Sequence, residues 1–226
     1  MPASTSAPLH WRPVSQPGPV TLQGRYVTLE PLSADRHASA LWQALQGHDE
    51  LWQWLFDGPF ATESAFRHAV LEKQNATAAV FLAIVPAASG QAEGWASLMR
   101  AEPAHGAVEV GNILFAPSLQ RTPAATEAMY LMAANVFDRL GYRRYEWKCN
   151  AENLPSRRAA ERLGFTFEGI FRQHMVVKHR NRDTAWFAMM DHEWPPRKAA
   201  FEAWLDPANF DPQGRQKSPL APPIPH

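Results

Sequence analysis

The sequence predicts an α+β fold in which one mixed, mostly antiparallel sheet of about seven strands is flanked by helices. Segments whose apolar residues alternate with a period of two take turns along the chain with segments of helical periodicity. Turn-forming residues separate the two kinds of segment. The chain has 226 residues, of which 46% are apolar and 19% are charged. This composition is typical of one globular domain with a substantial buried core.

The first strand is predicted over residues 20–32, with an interruption at Gly24 and Arg25, and two helices follow it. Ser33 can cap the first of these helices, because a serine hydroxyl can accept a hydrogen bond from an unpaired amide of the first turn. The second helix is predicted to begin near Thr62, with an acidic residue in its first turn, and to end near Asn75. The domain is therefore expected to start with one strand and two helices.

Three strands are predicted after the second helix. They cover residues 80–85, 94–99 and 108–115, where β-branched and other apolar residues dominate. Residues 89–91 form a turn-rich connection between the first two of these strands. We therefore expect these two strands to pair as an antiparallel hairpin.

The central helix gives the clearest periodic signal in the chain. Apolar residues recur at helical spacing from Met129 to Leu140, and Gly141 follows as a stop signal. One apolar face of this helix must therefore lie on the sheet. A strand over residues 145–150 and a short helix over residues 155–162 are predicted next.

Two further strands and a helix complete the predicted domain. The strands cover residues 165–177 and 184–191, and a turn is predicted between them at residues 180–182. Residues 195–205 indicate a final helix. The domain therefore ends with a strand pair followed by a helix.

Both ends of the chain are rich in proline, which removes amide donors and blocks helix formation. Residues 1–18 are predicted to be an extended or flexible segment, residues 19–205 a single domain, and residues 206–226 a proline-rich tail. A proline-rich ligand for a partner protein is the alternative interpretation of residues 219–225. The loosely held terminus is the favoured interpretation.

Composition excludes several classes of function. Lys and Arg number 22 and so do Asp and Glu, so the chain has no overall field that would attract nucleic acid or an acidic membrane. No apolar run is long enough to span a bilayer. Cys149 is the only cysteine, which favours a reducing cytoplasm. We expect a cytoplasmic protein without a metal ion, a nucleic-acid partner or a membrane partner.

Residues 108–165 carry the functional signal. They predict a strand, a turn, a helix, a strand and a short helix, with an Asn-x-x-Ser motif at 153–156 and an Arg-Leu-Gly-Phe motif at 162–165. This order resembles the GNAT acyltransferases, more narrowly their ribosomal-protein amino-terminal acetyltransferase type. The resemblance covers roughly residues 24–194. It implies the GNAT acyl-CoA N-acyltransferase fold, with the sheet splayed between its fourth and fifth strands, and acetyl-CoA as the acetyl donor.

The turn into the central helix is the expected site of the donor's pyrophosphate, because the first amides of a helix are unpaired and its dipole is positive there. GNAT proteins place a Gln/Arg-x-x-Gly-x-Gly/Ala run at this turn, and residues 120–125 resemble it, with Pro123 at a glycine position. Proline offers no amide donor, so Arg121 is expected to supply charge instead. The alternative is an ordinary helix start. The residues expected to bind acetyl-CoA are Ile113, Leu114, Gln120, Arg121, Thr122, Ala124, Ala125, Thr126 and Asn153.

The resemblance also implies a place for the pantetheine arm, in the opening between the two splayed strands. Free backbone groups there would bond to the arm as if it were another strand. Gly111 is well placed for a β-bulge, although a glycine tolerated for packing is the alternative. A backbone N–H near Asn112 or Ile113 could polarise the thioester carbonyl.

Three residues are candidates for proton transfer. The resemblance places Ser156 near the thioester sulfur, where a hydroxyl could protonate the departing thiolate, and Asn153 beside the pantetheine arm. Glu109 is the leading candidate for the base that takes the proton from the amine, and His174 is the second. The alternatives are an N-cap role for Asn153, a first-turn position for Ser156, a solvated position for Glu109 and a structural role for His174.

A cysteine and a group of aromatic residues are further candidates for parts of a site. Cys149 lies within a predicted strand without a visible His partner, so we interpret it as a packing residue and not as a nucleophile. Trp52, Trp54 and Phe56 precede a turn at residues 57–59, where the resemblance places the acceptor side. An aromatic acceptor pocket is therefore predicted there.

Three hypotheses about function follow. The favoured one is an N-acetyltransferase that moves an acetyl group from acetyl-CoA to a primary amine by direct attack in a ternary complex. The amine could belong to a protein N-terminus, an amino acid or another small molecule. The alternatives are an acetyl-CoA-binding protein without turnover, acting as a sensor or binding module, and a partner-binding module that uses the proline-rich tail. The sequence leaves a homodimer open.

Overall fold

The structure is a computed structural model that describes residues 10–220. Its centre is a sheet of eight strands in the order β1-β2-β3-β4-β5-β6-β8-β7. The strands are β1 (Leu22–Gln23), β2 (Val27–Pro31), β3 (Ala79–Pro86), β4 (Gly94–Glu102), β5 (Ala107–Phe115), β6 (Arg144–Asn150), β7 (Thr166–Val177) and β8 (Arg180–Met190). The helices are α1 (Ala34–Leu45), α2 (Glu63–Gln74), α3 (Pro123–Ala134), α4 (Leu154–Leu163) and α5 (Trp194–Leu205).

Neighbouring strands of the sheet are antiparallel except for β5 and β6, which are parallel. The predicted mixed, mostly antiparallel sheet and the predicted hairpin, now β3 and β4, are therefore confirmed. The predicted first strand is divided into β1 and β2, which explains why the sheet has eight strands and not about seven. The buried carboxylate of Glu127 holds the break, because it accepts hydrogen bonds from the amides of Arg25, Tyr26 and Val27 at 2.9, 2.6 and 3.0 Å.

The predicted helices form where their caps indicated. The Ser33 hydroxyl accepts a hydrogen bond from the Arg36 amide, and the Thr62 hydroxyl accepts one from the Ala65 amide. The central helix α3 continues through a wider helical turn, Asn135–Arg139, and the chain reverses at Gly141, whose φ of 73° is costly for a residue with a side chain. These local signals therefore fix where the helices begin and end.

The turn between the last two strands is not where the sequence predicted it. It consists of Lys178 and His179, whose φ angles of 48° and 61° give the tight two-residue reversal that suits a twisted hairpin. The prediction of a turn at residues 180–182 was wrong, because these residues are the first part of β8. The correction places Arg182 inside the sheet.

Side chains on the two faces of the sheet form two separate cores. On one face, here called the α3 face, Val108 and Val110 of β5 pack in the same cluster as α3 residues such as Met132. On the other, the α1–α2 face, Leu41 of α1 and Phe66 of α2 pack with apolar residues of the sheet. Because strand residues alternate between faces, Glu109 must project toward the α1–α2 face.

The described parts of both predicted end segments contact the domain. Near the start of the chain, the Trp11 indole donates a hydrogen bond to the Ala104 carbonyl at 2.8 Å, and the Val14 amide donates one to the Pro103 carbonyl at 3.2 Å. Near the other end, Leu220 is buried. Residues 1–9 and 221–226, which belong to the predicted flexible segment and tail, lie outside the described residues. Within residues 10–220 each helix is too short or too polar to cross a membrane.

Candidate active site

The parallel strands β5 and β6 separate part way along their length. They pair from Ala107 opposite Arg144 to Val110 opposite Trp147. Beyond that point β5 stays paired with β4, and β6 stays paired with β8. The unpaired ends leave a V-shaped opening in the middle of the sheet, so the predicted splay is present between these two strands.

A β-bulge explains why β5 turns away. The pairing of β5 with β4 slips between Trp95 and Ser97, and Asn112 has a left-handed φ of 52°. The Ser97 hydroxyl donates to the Gly111 carbonyl at 3.1 Å and accepts from the Asn112 side-chain amide at 3.0 Å. A Cβ atom on Gly111 would lie 2.6 Å from the sulfur of Met99. The bulge predicted at Gly111 therefore has its strained residue one position later.

The opening forms a cleft that passes through the sheet. About 810 Å³ of empty space lies in and at the mouth of the cleft, open solvent included. Its lining on the α3 face is uncharged and comes from Trp147, Cys149, Asn153 and Ser156. Its lining on the α1–α2 face carries the charges and comes mainly from Arg100, Glu109, Lys148, His174, Arg182 and Thr184. Two molecules bound on opposite faces of the sheet could therefore meet in this cleft.

The N-terminus of α3 begins with an ordinary cap. The Thr122 hydroxyl accepts a hydrogen bond from the Ala125 amide at 3.1 Å and donates one to the Leu119 carbonyl at 2.7 Å. Within the described residues, the amides of Arg121 and Ala124 have no hydrogen-bond partner. Arg121 has a left-handed φ of 61°. Two amide donors are therefore available here, although Pro123 contributes none.

Of the other residues predicted to bind acetyl-CoA, one lines the cleft, and the rest are buried or bonded within the protein. Ile113 lines the cleft. Leu114 is buried in the α1–α2 core, so only its backbone could reach a ligand. Gln120 donates its side-chain amide to the Phe115 carbonyl at 3.0 Å, and the Thr126 hydroxyl accepts a hydrogen bond from Arg162 at 3.2 Å. Ala124 and Ala125 are buried in the first turn of α3.

Asn153 and Ser156 start α4 beside the cleft. The Asn153 carbonyl oxygen caps the helix by accepting a hydrogen bond from the Ser156 amide at 3.1 Å, so the N-cap interpretation of Asn153 is correct. Both residues nevertheless line the cleft. The Trp147 indole donates to the Ser156 hydroxyl at 3.0 Å, which fixes the position of that oxygen. Burial raises the pKa of the neighbouring Cys149 thiol, which keeps it protonated and unreactive.

Glu109 is buried, with 2% of its surface exposed, so the solvated position considered for it is wrong. Arg100 donates to both of its carboxylate oxygens at 2.9 and 2.8 Å, and the Lys148 ammonium lies 3.0 Å from Oε2. Lys148 also pairs with Glu146 at 2.7 Å and lies 3.8 Å from the centre of the Trp186 ring. The Glu109 carboxylate is therefore shared between two cations.

Glu146 anchors the other side of this charge network. Burial alone would raise the pKa of its carboxyl, but hydrogen bonds and charge from Lys148 and Arg144 outweigh burial and lower the pKa below its usual value. Glu146 therefore remains a carboxylate and holds the Lys148 ammonium in the cleft wall.

His174 lies at the exposed edge of the cleft, on a second bulge. Three residues of β7 lie opposite a single residue of β8 there, and the Gln173 amide is bonded to the Asp183 carboxylate at 2.7 Å. The His174 Nδ1 atom is within 2.9 Å of the Thr184 hydroxyl. His174 also lines the cleft, and an imidazole at the edge of a cleft can serve as a proton acceptor.

The predicted aromatic wall is present in part. Trp54 and Phe56 line the cleft, whereas Trp52 is buried in the α1–α2 core beneath them. The Lys178 ammonium donates to the backbone carbonyls of Trp52 and Asp57 at 2.8 and 2.9 Å. The β7–β8 turn therefore holds this aromatic loop in place beside the cleft.

Sequence reasoning missed Arg100, Lys148 and Arg182. Arg182, Thr184 and Trp186 alternate along the chain, which indicates that they share one face of a strand. The prediction of a turn at residues 180–182 left Arg182 out of that strand. Lys148 alternates with Trp147 and Cys149, so its face could have been predicted, but its partner Glu109 comes from another strand. Within residues 10–220, no group of His, Cys, Asp and Glu side chains is arranged to hold a metal ion.

A family model for the acetyltransferase (GNAT) domain matches residues 27–166, more than half of the chain. The chain therefore belongs to the GNAT acetyltransferase family, whose members generally use acetyl-CoA as cosubstrate. The expected family and fold are confirmed.

Solved structures agree with this assignment. A GCN5-related N-acetyltransferase from Brucella melitensis is 50% identical and matches with a TM-score of 0.92, over 93% of this chain and 96% of that one. A probable GNAT-family acetyltransferase from Chromobacterium violaceum is 41% identical, with a TM-score of 0.79 over 86% and 98% of the two chains. RimL, a ribosomal L7/L12 alpha-N-protein acetyltransferase, is 21% identical and shares the fold, with a TM-score of 0.64 over 78% and 99%.

The chain also matches an uncharacterized N-acetyltransferase, YnaD, from Bacillus subtilis. The two are 28% identical over 86 residues, which are 38% of this chain and 50% of YnaD. The match therefore spans half the length of this curated relative.

Proposed function

We propose that this protein transfers an acetyl group from acetyl-CoA to a primary amine by direct attack, with both substrates bound at once. The observation that carries the proposal is the cleft through the sheet between β5 and β6. One end of the cleft opens beside α4 on the α3 face, and the other opens among charged and aromatic side chains on the α1–α2 face. A donor and an acceptor can therefore approach each other from opposite sides without a covalent enzyme intermediate.

The residues on the α3 face fit the donor. The unpaired amides of Arg121 and Ala124, together with the positive end of the α3 dipole, offer donors to a diphosphate, and the exposed Arg121 side chain offers charge. Asn153 and the unpaired backbone of β5 near Ile113 offer polar groups to an amide-containing arm. Acetyl-CoA supplies the chemistry of a thioester, whose acetyl group passes to the amine while the thiol departs.

Ser156 is the proposed proton donor to the departing thiolate. Its hydroxyl oxygen accepts from Trp147, and its own hydrogen lies within reach of the Cys149 sulfur, from which it can turn to the donor. An O–H group at this end of the cleft can donate to an anion formed at the sulfur of the donor. The hydroxyl would then recover its proton from water at the mouth of the cleft.

The acceptor amine must lose its charge before it can attack. The sequence ranks Glu109 ahead of His174 for this role, and the contacts support the reverse order. Glu109 is shared by Arg100 and Lys148, so its lone pairs are engaged. His174 lines the cleft, and among the described residues only one of its ring nitrogens has a hydrogen-bond partner. We therefore assign proton acceptance to His174, and to Glu109 the positioning of the two cations that shape the cleft.

A second function has its own supporting observation. Pro123 withdraws one amide from the diphosphate turn, and Glu109 is occupied by cations, so a protein that binds acetyl-CoA without turnover is the runner-up. This protein would act as a sensor or binding module and would need no proton acceptor.

The experiment that decides between them measures thiol release from acetyl-CoA with a panel of amines, alongside calorimetric binding of acetyl-CoA. The proposed transferase must release thiol and form an N-acetyl product with at least one amine of the panel. Tight binding of acetyl-CoA with no product from any amine would overturn it in favour of the runner-up. Failure to bind acetyl-CoA would exclude both.

We place this reaction in the cytoplasm. The support is the single cysteine, Cys149, which is buried and unpaired, so the fold takes no stability from an oxidising compartment. A homodimer stays a prediction.

A further inference from the structure

Arg182 is a buried cation for which the described residues provide no polar partner. It is 8% exposed and lines the cleft. Its Nε and Nη1 atoms are inaccessible to solvent and make no hydrogen bond within residues 10–220. Burial lowers the pKa of the guanidinium from its usual value, which reflects the cost of holding this charge away from water. Such a group normally pairs with an anion.

The other charges of the cleft are already paired. Arg100 and Lys148 are both bonded to Glu109, and Lys148 is also bonded to Glu146. Arg144 joins Glu146 to Glu168, so this network has three carboxylates and four cations, counting Arg182. Glu109 is close enough to favour the charged form of Arg182, but within the described residues no carboxylate lies within 4.0 Å of it. The cleft wall has an excess of one positive charge, located at Arg182.

The surroundings of Arg182 narrow the kind of anion that it can bind. The Phe56 ring covers the guanidinium, with its centre 5.0 Å from Cζ. Leu51, Leu55 and Met175 also line this part of the cleft. A planar guanidinium beside apolar side chains suits a planar carboxylate attached to an apolar body.

Arg182 lies on the face of the sheet opposite the proposed donor site. Arg182 alternates with Thr184 and Trp186 along β8, whereas Ala185 and Phe187 pack in the core of the α3 face. Arg182 therefore projects toward the α1–α2 face, and the N-terminus of α3 lies on the opposite face. An anion on Arg182 belongs to the molecule that enters from the acceptor side.

We propose that Arg182 binds a carboxylate of the acceptor, so that the preferred substrates are small amines that carry both a carboxylate and an apolar body. This inference rests on the proposed acetyl transfer and specifies the acceptor that the same cleft selects. A guanidinium–carboxylate contact would place an anion beside this unpaired charge and orient the amine toward the gap between β5 and β6.

The test compares acids with their carboxamides. Leucine, methionine, phenylalanine and 4-aminobutanoate are each assayed beside the corresponding amide, with wild type, Arg182→Met and the control Arg180→Met. Arg180 is an exposed residue of the same strand. The acid-to-amide ratio of kcat/KM is measured within each preparation, so a smaller fraction of folded protein does not change it. Comparing ratios between variants also cancels the lower basicity of the amide amines.

For the acids that are accepted, Arg182→Met should reduce the acid-to-amide ratio by roughly 10- to 100-fold, as expected for a lost hydrogen bond between charged groups. The loss should appear mainly in KM for the acid, and Arg180→Met should keep the wild-type ratio. An unchanged ratio in Arg182→Met, or an equal loss for acid and amide, would overturn the inference, since Arg182 would then serve the donor or the fold.

Binding measurements separate this inference from the proposed function. Calorimetry of the same acids and amides reports the carboxylate preference without any turnover. If no amine is acetylated, the transferase proposal fails, and the inference still stands or falls on whether wild type binds the acid more tightly than the amide and Arg182→Met does not.

Discussion

The two faces of the sheet contribute to the cleft in different ways. On the α3 face, Asn153 and Ser156 occupy the first turn of α4 and are held by contacts with near neighbours in sequence. On the α1–α2 face, Glu109 and Lys148 come from two different strands and are held by charge, and the unpaired Arg182 comes from a third. Under the proposed function, neutral dipoles on one face serve the donor, and a charge network on the other face serves the acceptor.

The largest expected effect comes from the charge network. Glu109→Gln removes the shared partner of Arg100 and Lys148 from a buried position, although Lys148 keeps Glu146. We expect the free energy of unfolding to fall by about 3 kcal/mol, as measured by urea denaturation, with slower turnover as well. Acetyl-CoA binding should change less, because the proposed donor site is on the other face.

Glu102→Gln is the matched control, because Glu102 is an exposed residue of β4. It should unfold like wild type. If Glu109→Gln were as stable as wild type, the charges of the α1–α2 face would not act as a network. The proposed difference between the two faces would then be wrong.

The next effect concerns proton acceptance. His174→Gln should lower kcat by about 100-fold near neutral pH while leaving acetyl-CoA affinity unchanged. The deficit should shrink as the pH rises, because an increasing share of the amine is already uncharged in solution and needs no acceptor. His68→Gln, at an exposed position on α2, should behave like wild type. A pH-independent deficit would assign His174 a structural role.

A smaller effect is expected on the α3 face. Ser156→Ala removes the proposed proton donor and the acceptor of the Trp147 indole hydrogen bond. Because water can replace the hydroxyl in part, we expect kcat to fall about 10-fold and acetyl-CoA affinity to stay the same. Stopped-flow measurement of thiol release checks this. A variant that lost affinity and kept kcat would place Ser156 in binding and not in proton transfer.

The smallest expected effect is on the pH dependence of stability, and it comes from His37, a residue of the α1–α2 face outside the cleft. His37 is buried, and its Nδ1 accepts a hydrogen bond from the Ser33 amide at 3.0 Å. Burial, followed by the nearby Arg36 charge, lowers the pKa of His37 below its usual 6.5. The unfolded chain therefore binds a proton before the folded one does as pH falls below 6.5, and the free energy of unfolding decreases there.

His37→Gln should remove this part of the acid sensitivity without altering turnover. Thermal unfolding followed from pH 7 to pH 5 measures it. If the variant kept the whole pH dependence of wild type, the loss of stability would have to come from other groups.

The same contrast explains how much could be predicted from the sequence. The caps at Ser33, Thr62 and Asn153 and the stop at Gly141 are local signals, and the structure has them where the sequence placed them. The splay came from the family resemblance, and its cause, the Ser97–Asn112 contact, joins residues from two strands. Non-local pairings of this kind have no sequence periodicity to reveal them.

Arg182 illustrates the remaining limit. Asn181 and the arginines on either side of it are polar residues that suit a turn, and for this reason the sequence predicts a turn there. The actual turn uses Lys178 and His179 in the left-handed conformation, which is uncommon for residues other than glycine. Only the register of β7 with β8 shows that Arg182 lies in the sheet and faces the cleft.

A crystal structure of the protein with CoA is the measurement that tests the central claim most directly, namely that the separation of β5 and β6 joins two substrate sites through the sheet. We predict the diphosphate beside the amides of Arg121 and Ala124, and the thiol between Ile113 and Ser156, open to the side of Arg182. A complex in which β5 and β6 pair along their whole length, or in which the thiol lies outside the gap, would contradict the account.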